Sequence, residues 1–225
     1  IAVNTTTNIT DLTLTSAASN TFTGNVTVND LITTANSGTV TLNGAVNTFA
    51  AAVDFLNTGL VTLGNGGDSS TFANGVTFSA NAASNFGGAI VTSGDLADFG
   101  TGGVTLGSDS TVDTTNAGGS VAGANIAFGA GIAGAFDLGL TAGTGGAVTV
   151  ATTTNITDLT LTSAATNTFA GNVTVNDLIT TANSGTITLQ GAANTFVAQV
   201  DFANNATVLG NGADLTTFNG GVIAS

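Results

Sequence analysis

Aspartate is the only side chain in this sequence that could act as an acid, a base or an ionised metal ligand. The 225 residues contain 13 Asp and no Glu, Lys, Arg, His, Cys, Met, Trp, Tyr or Pro, so the formal net charge is −13. The chain therefore offers no imidazole or thiolate for zinc and no cysteine nucleophile. It also offers no basic surface to neutralise phosphates, so we expect no nucleic-acid partner.

Two aspartates follow Gly-Asn turns and are candidate calcium ligands. Asp68 lies in LGNGGDSS (Leu63–Ser70), and Asp214 lies in the related segment LGNGADLT (Leu209–Thr216). Glycine-rich turns with Asp are typical of calcium-binding β-roll nonapeptides, in which successive turns share each ion. Here each copy stands alone, so a turn that ends in a solvated Asp explains the segments more simply than a calcium site does. Two looser candidate pairs are Asp109 with Asp113 and Asp95 with Asp98.

Paired carboxylates could also hydrolyse glycosides. Several aspartates are, however, duplicated together with the surrounding sequence: Asp11 with Asp158, Asp30 with Asp177, and Asp54 with Asp201. Duplicated positions indicate architecture rather than one catalytic centre. The basic and indole or phenol side chains that usually bind sugar acids and stack on sugar rings are absent. We expect no enzyme.

Threonine is another residue type that could bind a ligand, because a flat array of hydroxyls can match an ice or crystal surface. Thr-x-Thr occurs at Thr13 and Thr15, at Thr39 and Thr41, and at Thr186 and Thr188. Such an array needs one motif per turn at constant spacing, and these intervals are irregular. Strand propensity explains the threonines equally well.

A long duplication dominates the organisation of the chain. Thr5–Phe55 recurs as Thr152–Phe202 with few differences, all of which are small or keep β preference. We assign residues 1–151 to a first unit (core repeat 5–55) and residues 152–225 to the start of a second (core repeat 152–202). No true domain boundary is expected between them, and the chain is expected to be a fragment of a longer protein.

Short alternating segments predict β-strands throughout. In NVTVN (Asn25–Asn29), TVTLN (Thr39–Asn43) and AVTVATT (Ala147–Thr153), apolar residues alternate with Thr or Asn, as they do in half-buried strands. Asn-Thr-Phe or a close variant recurs and ends at Phe22, Phe49 and Phe72. This spacing suits one turn of a solenoid with an interior aromatic stack. The sequence therefore predicts an all-β parallel β-solenoid (β-helix) of tandem repeats, with tandem antiparallel β-sandwich domains as the alternative.

Segments such as GAFDLGLTAGTGGAVTV (Gly134–Val150) and TDLTLTSAATNTF (Thr157–Phe169) resemble bacterial β-strand-repeat surface proteins, that is, the stalks of filamentous-haemagglutinin-like and autotransporter adhesins. The resemblance covers nearly the whole chain. It implies export to the cell surface or the extracellular space, and structural or adhesive work. It transfers no functional residue, because such stalks share no catalytic motif.

We therefore expect a structural segment of a secreted repetitive fibre, stalk or sheath. Its partners through β-strand stacking are expected to be other chains of the fibre or neighbouring repeats of the same chain. An adhesin, or an ice-binding module on a Thr-rich face, is the alternative function. Thirteen carboxylates without counter-charges predict cation-mediated lateral bundling, and calcium is the one candidate cofactor. The most apolar stretch, Ala117–Phe136, is rich in Gly and Ala and carries Asn125, so no membrane span is expected.

Overall fold

A computed structural model describes residues 1–80 and 82–225, without the side chains of residues 7 and 8. The described residues form strands and turns and contain no helix. The strands are β1 (Ala2–Val3), β2 (Thr6–Leu14), β3 (Ser19–Phe22), β4 (Val26–Thr33), β5 (Thr39–Leu42), β6 (Val46–Phe49), β7 (Val53–Asp54), β8 (Val61–Phe72), β9 (Val76–Thr77), β10 (Ser84–Thr92), β11 (Ala97–Asp98), β12 (Val104–Leu106), β13 (Ser110–Asp113), β14 (Ile126–Ala133), β15 (Leu138–Thr141), β16 (Ala147–Ser163), β17 (Thr166–Phe169), β18 (Val173–Thr180), β19 (Thr186–Leu189), β20 (Ala193–Phe196), β21 (Val200–Phe202), β22 (Ala206–Leu209), β23 (Leu215–Phe218) and β24 (Val222–Ala224).

Every pairing between these strands is parallel, and the strands stack into a β-solenoid of about ten turns. One isolated bridge, between Ser93 and Thr115, is antiparallel. The predicted parallel β-solenoid is confirmed, and the alternative of antiparallel sandwiches is wrong. Several long strands, such as β8 and β16, bend round a corner and pair on two or three faces, so one hydrogen-bonded network surrounds the core.

The pairings define three sheets, which we number 1 to 3. Sheet 1 contains eleven segments, namely β1, β3, β5, the start of β8, the start of β10, β12, the end of β14, the middle of β16, the start of β18, β20 and β23. Sheet 2 contains the start of β2, the start of β4, β6, the ends of β8 and β10, β13, β15, the ends of β16 and β18, β21 and β24. Sheet 3 contains the ends of β2 and β4, β7, β9, β11, the starts of β14 and β16, β17, β19 and β22.

The first turns are shorter than the spacing from Phe22 to Phe49 predicted. Along sheet 1, Asn20 is in register with Val40 on the next turn and with Val61 on the turn after that. The turn from Val104 to Ile132 is longer, because a loop follows β13. Loops of different length at the corners therefore absorb differences in sequence while the strands stay in register.

Alternate residues of each strand point inward and form one continuous apolar core. The predicted aromatic stack exists, but its members are not the predicted set. Phe49 and Phe72 stack at 4.9 Å on sheet 2, whereas Phe22 lies on sheet 1, where its strand pairs with that of Leu42. Phe55, Phe78, Phe99 and Phe128 form a second stack on sheet 3, with centroids 4.8, 5.5 and 4.7 Å apart.

Buried asparagines join successive turns at the corners. The Nδ2 atoms of Asn20 and Asn167 donate to the main-chain carbonyls of Ser37 and Ser184 on the next turn. All four asparagines of the Asn-Thr-Phe tripeptides are buried: Asn20, Asn47, Asn167 and Asn194. Main-chain groups at the corners have no partner in the strand ladders, and these amides supply one. Each tripeptide therefore provides both a corner hydrogen bond and a ring in the core.

The duplicated sequences lie on different faces. On sheet 1, the position of Asn20 is occupied on the next six turns by Val40, Val61, Ser84, Val104, Ile132 and Thr153. Asn167, the counterpart of Asn20, lies two faces further along the chain and pairs with Val148 on sheet 3. The repeat thus spans six and two-thirds turns, and the second copy is rotated by one face.

Candidate functional site

The structure places the two predicted calcium ligands far apart in separate turns. Asp68 begins the sheet 2 part of β8, where it pairs with Gly88, and its Oδ2 atom accepts the main-chain N–H of Asn65 at 2.9 Å. Asp214 precedes β23 of sheet 1 and accepts the N–H of Asn211 at 2.8 Å. Each carboxylate therefore closes its own turn. Among the described residues, no three acidic side chains converge on a common point.

The looser candidates serve local structure as well. Asp113 Oδ1 accepts both the N–H and the hydroxyl of Thr115 at 2.6 Å, and its Oδ2 accepts the N–H of Ala117 at 2.9 Å. These bonds fix the start of the loop 114–124. At the base of the loop, the Thr114 hydroxyl donates to the carbonyl of Ala124 and accepts the N–H of the same residue. Asp98 accepts the N–H of Gly100 at 2.9 Å.

Four aspartates on successive turns form a column at the edge of sheet 2: Asp109, Asp137, Asp158 and Asp177. Asp109 Oδ1 accepts the N–H of Asp137 at 3.1 Å, and Asp137 Oδ1 accepts the N–H of Asp158 at 3.2 Å. Burial, followed by repulsion from Asp158, raises the pKa of Asp177 above its ordinary value of 3.8, although a hydrogen bond from Leu178 opposes the shift. The column therefore links turns through carboxylate-to-backbone bonds.

A groove of about 350 Å³ opens on sheet 2 beside this column. Gly139 lies between Thr111 and Thr160 on adjacent turns, so the row of side chains is interrupted there. Asp109 and Asp137 line one edge of the groove. Both carboxylates accept a main-chain N–H from the next turn, and the groove lining offers oxygen atoms but neither a cation nor an aromatic ring.

The outer face of sheet 1 carries a column that the sequence did not reveal. At ten successive turns its central outward position is occupied by Thr21, Thr41, Thr62, Asn85, Thr105, Ala133, Thr154, Thr174, Thr195 and Thr217. Eight of the ten are threonine. Their intervals along the chain vary because the corners differ in length, so the regular column is visible only after folding.

The last turn exposes apolar side chains whose counterparts in the first repeat are covered. Leu209 is 48% exposed, whereas Leu63, its counterpart, is 3% exposed; Val222 is 52% exposed, whereas its counterpart Val76 is 1% exposed. In the first repeat a further turn, which includes β10 and β11, covers Leu63 and Val76. The last turn therefore presents an open edge. The matching segments of the first repeat show how a further turn covers such an edge.

Because no helix occurs among the described residues, none has the length and apolar character needed to cross a bilayer. Comparisons with known protein families, with curated proteins and with solved structures find no match to this chain.

Proposed function

We propose that this chain is a structural segment of a secreted, repetitive cell-surface or extracellular fibre, stalk or sheath. The observation that carries the proposal is the junction of the two repeats. Ala151 and Thr152, on either side of it, lie within the single strand β16, which pairs on all three sheets. Repeats joined in this way add turns to one rod without a hinge, which suits a load-bearing element.

Resistance to bending and unfolding has two physical sources in this proposal. Parallel hydrogen bonds run along the axis at every turn, and the core beneath them is continuous. Since each turn contacts only its neighbours, stability grows with the number of turns. The absence of Lys and Arg also removes the cleavage sites of trypsin-like proteases, which suits an extracellular location.

Self-association would proceed by stacking of a further turn on the open edge, supplied by another chain or by a neighbouring repeat of the same chain, because an open edge strand pairs readily. Electron microscopy of the purified chain tests this step. We expect rods that lengthen with concentration, and shorter rods for Val222→Lys, which places a charge at the open edge. Val46→Lys is the matched control, because Val46 is similarly exposed (50%) but lies on the side of the first repeat. Compact, monodisperse particles that never lengthen would overturn the proposal.

The threonine column favours a second candidate, an ice-binding or adhesive module on the outer face of sheet 1. Eight of ten successive positions in the column, which are spaced by about 4.8 Å, carry a threonine hydroxyl, and Asn85 and Ala133 occupy the other two. Thermal hysteresis of the purified chain tests ice binding, and a glycan array tests adhesion. Loss of either activity in Thr105→Asp, but not in Thr149→Asp on sheet 3, would support this candidate.

The proposal assigns no catalytic step to the chain. Aspartate is its only acid–base side chain, and the two carboxylates beside the sheet 2 groove hold main-chain N–H groups of the next turn. Cation-mediated bundling through the acidic faces of sheets 2 and 3 belongs to the same proposal. It predicts turbidity that rises with divalent cations and falls with chelator.

A further inference from the structure

Sheet 1 differs from the other two sheets in its charge. In the part of the chain that the structure describes, none of the eleven segments that form sheet 1 contains an aspartate. Asp214 comes closest, one residue before β23 at the last turn. Strands of the other sheets carry carboxylates along their length: Asp54 and Asp98 on sheet 3, and Asp113, Asp158, Asp177 and Asp201 on sheet 2. The molecule is therefore an acidic rod with one neutral face.

We propose that the neutral outer face of sheet 1 is a lateral interface for a second copy of this chain. The contact is isologous, so the same face is contributed by both copies. This inference rests on the structural function proposed above, and it adds the surface by which rods pair side by side. It needs no divalent cation, in contrast to bundling through the acidic faces.

Electrostatics selects this face over the other two. Each copy carries a net charge of −13 and no cationic side chain that could form an ion pair with a carboxylate. Apposing sheet 2 or sheet 3 of two copies would bring their carboxylates to within about 10 Å, the usual distance between packed sheets. Apposing the two sheet 1 faces leaves the carboxylates on the outside of the pair, where salt screens them.

The dimensions of the face suit a specific pair. Eleven strands spaced about 4.8 Å apart and about four residues wide give a strip of roughly 48 by 13 Å, or about 600 Å² on each copy. The total of about 1,200 Å² is at the lower end of specific protein interfaces. Because both copies repeat at the same turn spacing, the threonine columns can interdigitate along the whole strip, as matched columns do in dry sheet interfaces.

Thr105 is the position at which this interface is most easily broken. It is exposed, and β12 is the sixth of the eleven segments of sheet 1. Two complete faces that overlap therefore bring Thr105 of one copy against Thr105 of the other, whether the rods run parallel or antiparallel. A negative charge introduced at residue 105 would therefore lie opposite the same charge on the other copy.

Sedimentation velocity in the presence of chelator tests the proposal, on the Val222→Lys background that suppresses end stacking. We expect a dimer that strengthens with added NaCl, because salt screens the repulsion between the two net charges. Thr105→Asp should weaken dimerisation by about 100-fold or more, because apposed like charges are strongly disfavoured. Thr149→Asp is the control, because Thr149 is also an exposed mid-strand threonine but lies on sheet 3. Equal dimerisation of the two variants would overturn the proposal.

Cysteine cross-linking supplies a second test that tolerates weak association, since the chain has no native cysteine. Oxidation should convert Thr105→Cys to a covalent dimer and leave Thr149→Cys monomeric. A monomer that shows thermal hysteresis sensitive to Thr105→Asp would instead assign the face to ice, and association abolished by chelator would assign it to cations; either result overturns the pairing. The proposed fibre function fails separately, if Val222→Lys leaves the length of the rods unchanged.

Discussion

Asn47 and Asn194 make the same hydrogen bonds on two different faces of the solenoid. Each Nδ2 atom donates to the carbonyl of the glycine three residues earlier, at 3.1 and 3.0 Å. Each Oδ1 atom accepts an N–H from the preceding turn, that of Val26 at 3.1 Å on sheet 2 and that of Val173 at 3.0 Å on sheet 1. The same local sequence therefore forms the same hydrogen-bonded corner on either face of the solenoid. The corner depends on the local residues and not on the face that they occupy.

Replacing Asn47 by alanine should destabilise the fold substantially. The substitution leaves the buried N–H of Val26 without its acceptor, and an unsatisfied buried group costs about 1–3 kcal/mol. We expect the free energy of unfolding, measured by urea denaturation, to fall by about 2 kcal/mol. Asn65→Ala in an exposed turn is the control and should change it by less than about 0.5 kcal/mol. Equal effects of the two substitutions would contradict the role of the corner amide.

Phe99 is the centre of the aromatic packing, and its truncation should be the most damaging change in the core. Its ring lies 5.5 Å from that of Phe78, 4.8 Å from that of Phe86 and 4.7 Å from that of Phe128. Phe99→Ala should lower the free energy of unfolding by about 3–5 kcal/mol in urea denaturation. Phe136→Ala provides the comparison, because Phe136 is 36% exposed and loses fewer contacts. A smaller loss for Phe99→Ala than for Phe136→Ala would show that the stack is not the stabilising element.

Asp177 should make stability depend on pH in an unusual direction. Burial raises the pKa of Asp177 in the folded chain above its unfolded value, so the folded state binds the proton more tightly. Stability should therefore increase as the pH falls through the folded pKa towards 3.8. Asp177→Asn removes the charge, and we expect its melting temperature to exceed that of the parent by about 1–2 °C at neutral pH.

The same difference should vanish at about pH 3, where the parent side chain is protonated in both states. Asp201→Asn is the control, because the strand partners of Asp201 are Ile179 and Ile223 rather than another carboxylate. A melting temperature of Asp177→Asn below that of the parent at neutral pH would show that the charge of Asp177 is stabilising instead.

The calcium prediction for Asp68 and Asp214 is tested by removing both charges. If the two turns bind calcium, excess CaCl₂ raises the melting temperature of the parent chain by mass action. The double variant Asp68→Asn, Asp214→Asn should then lose that increase, while MgCl₂ serves as the ionic-strength control. An equal increase in both chains would assign the effect to general screening of the carboxylates.

Much of the fold could be predicted locally. The alternation in NVTVN predicts the strand that the structure shows as the start of β4, and Val26 and Val28 are buried there as the pattern requires. The tandem repeats and the recurrence of Asn-Thr-Phe at about the length of one turn predicted a solenoid, although the two copies of the long repeat lie on different faces. The Asn-Thr-Phe tripeptide predicted one interior ring per turn, whereas only the structure shows that its asparagine is buried and hydrogen-bonded at a corner.

The face that each strand occupies could not be predicted, because it depends on the summed length of every preceding turn. The longer turn that contains the loop 114–124 is one such contribution. For this reason the threonine column appeared irregular in the sequence, and Phe22 was grouped wrongly with Phe49. The groove beside Gly139 could not be predicted for the same reason, since Thr111 and Thr160 are distant in the sequence and flank Gly139 only after β15 pairs with β13 and β16.

By itself, the amino-acid sequence determined the strands, the turns, the apolar interior and the absence of any positively charged side chain, because these depend on side-chain type and on alternation over a few residues. Only the tertiary structure decided which residues share a face. Registration between turns is a long-range property, in which interstrand hydrogen bonds align segments and the corners absorb differences in length. That registration concentrated the carboxylates on two sheets and left the third neutral.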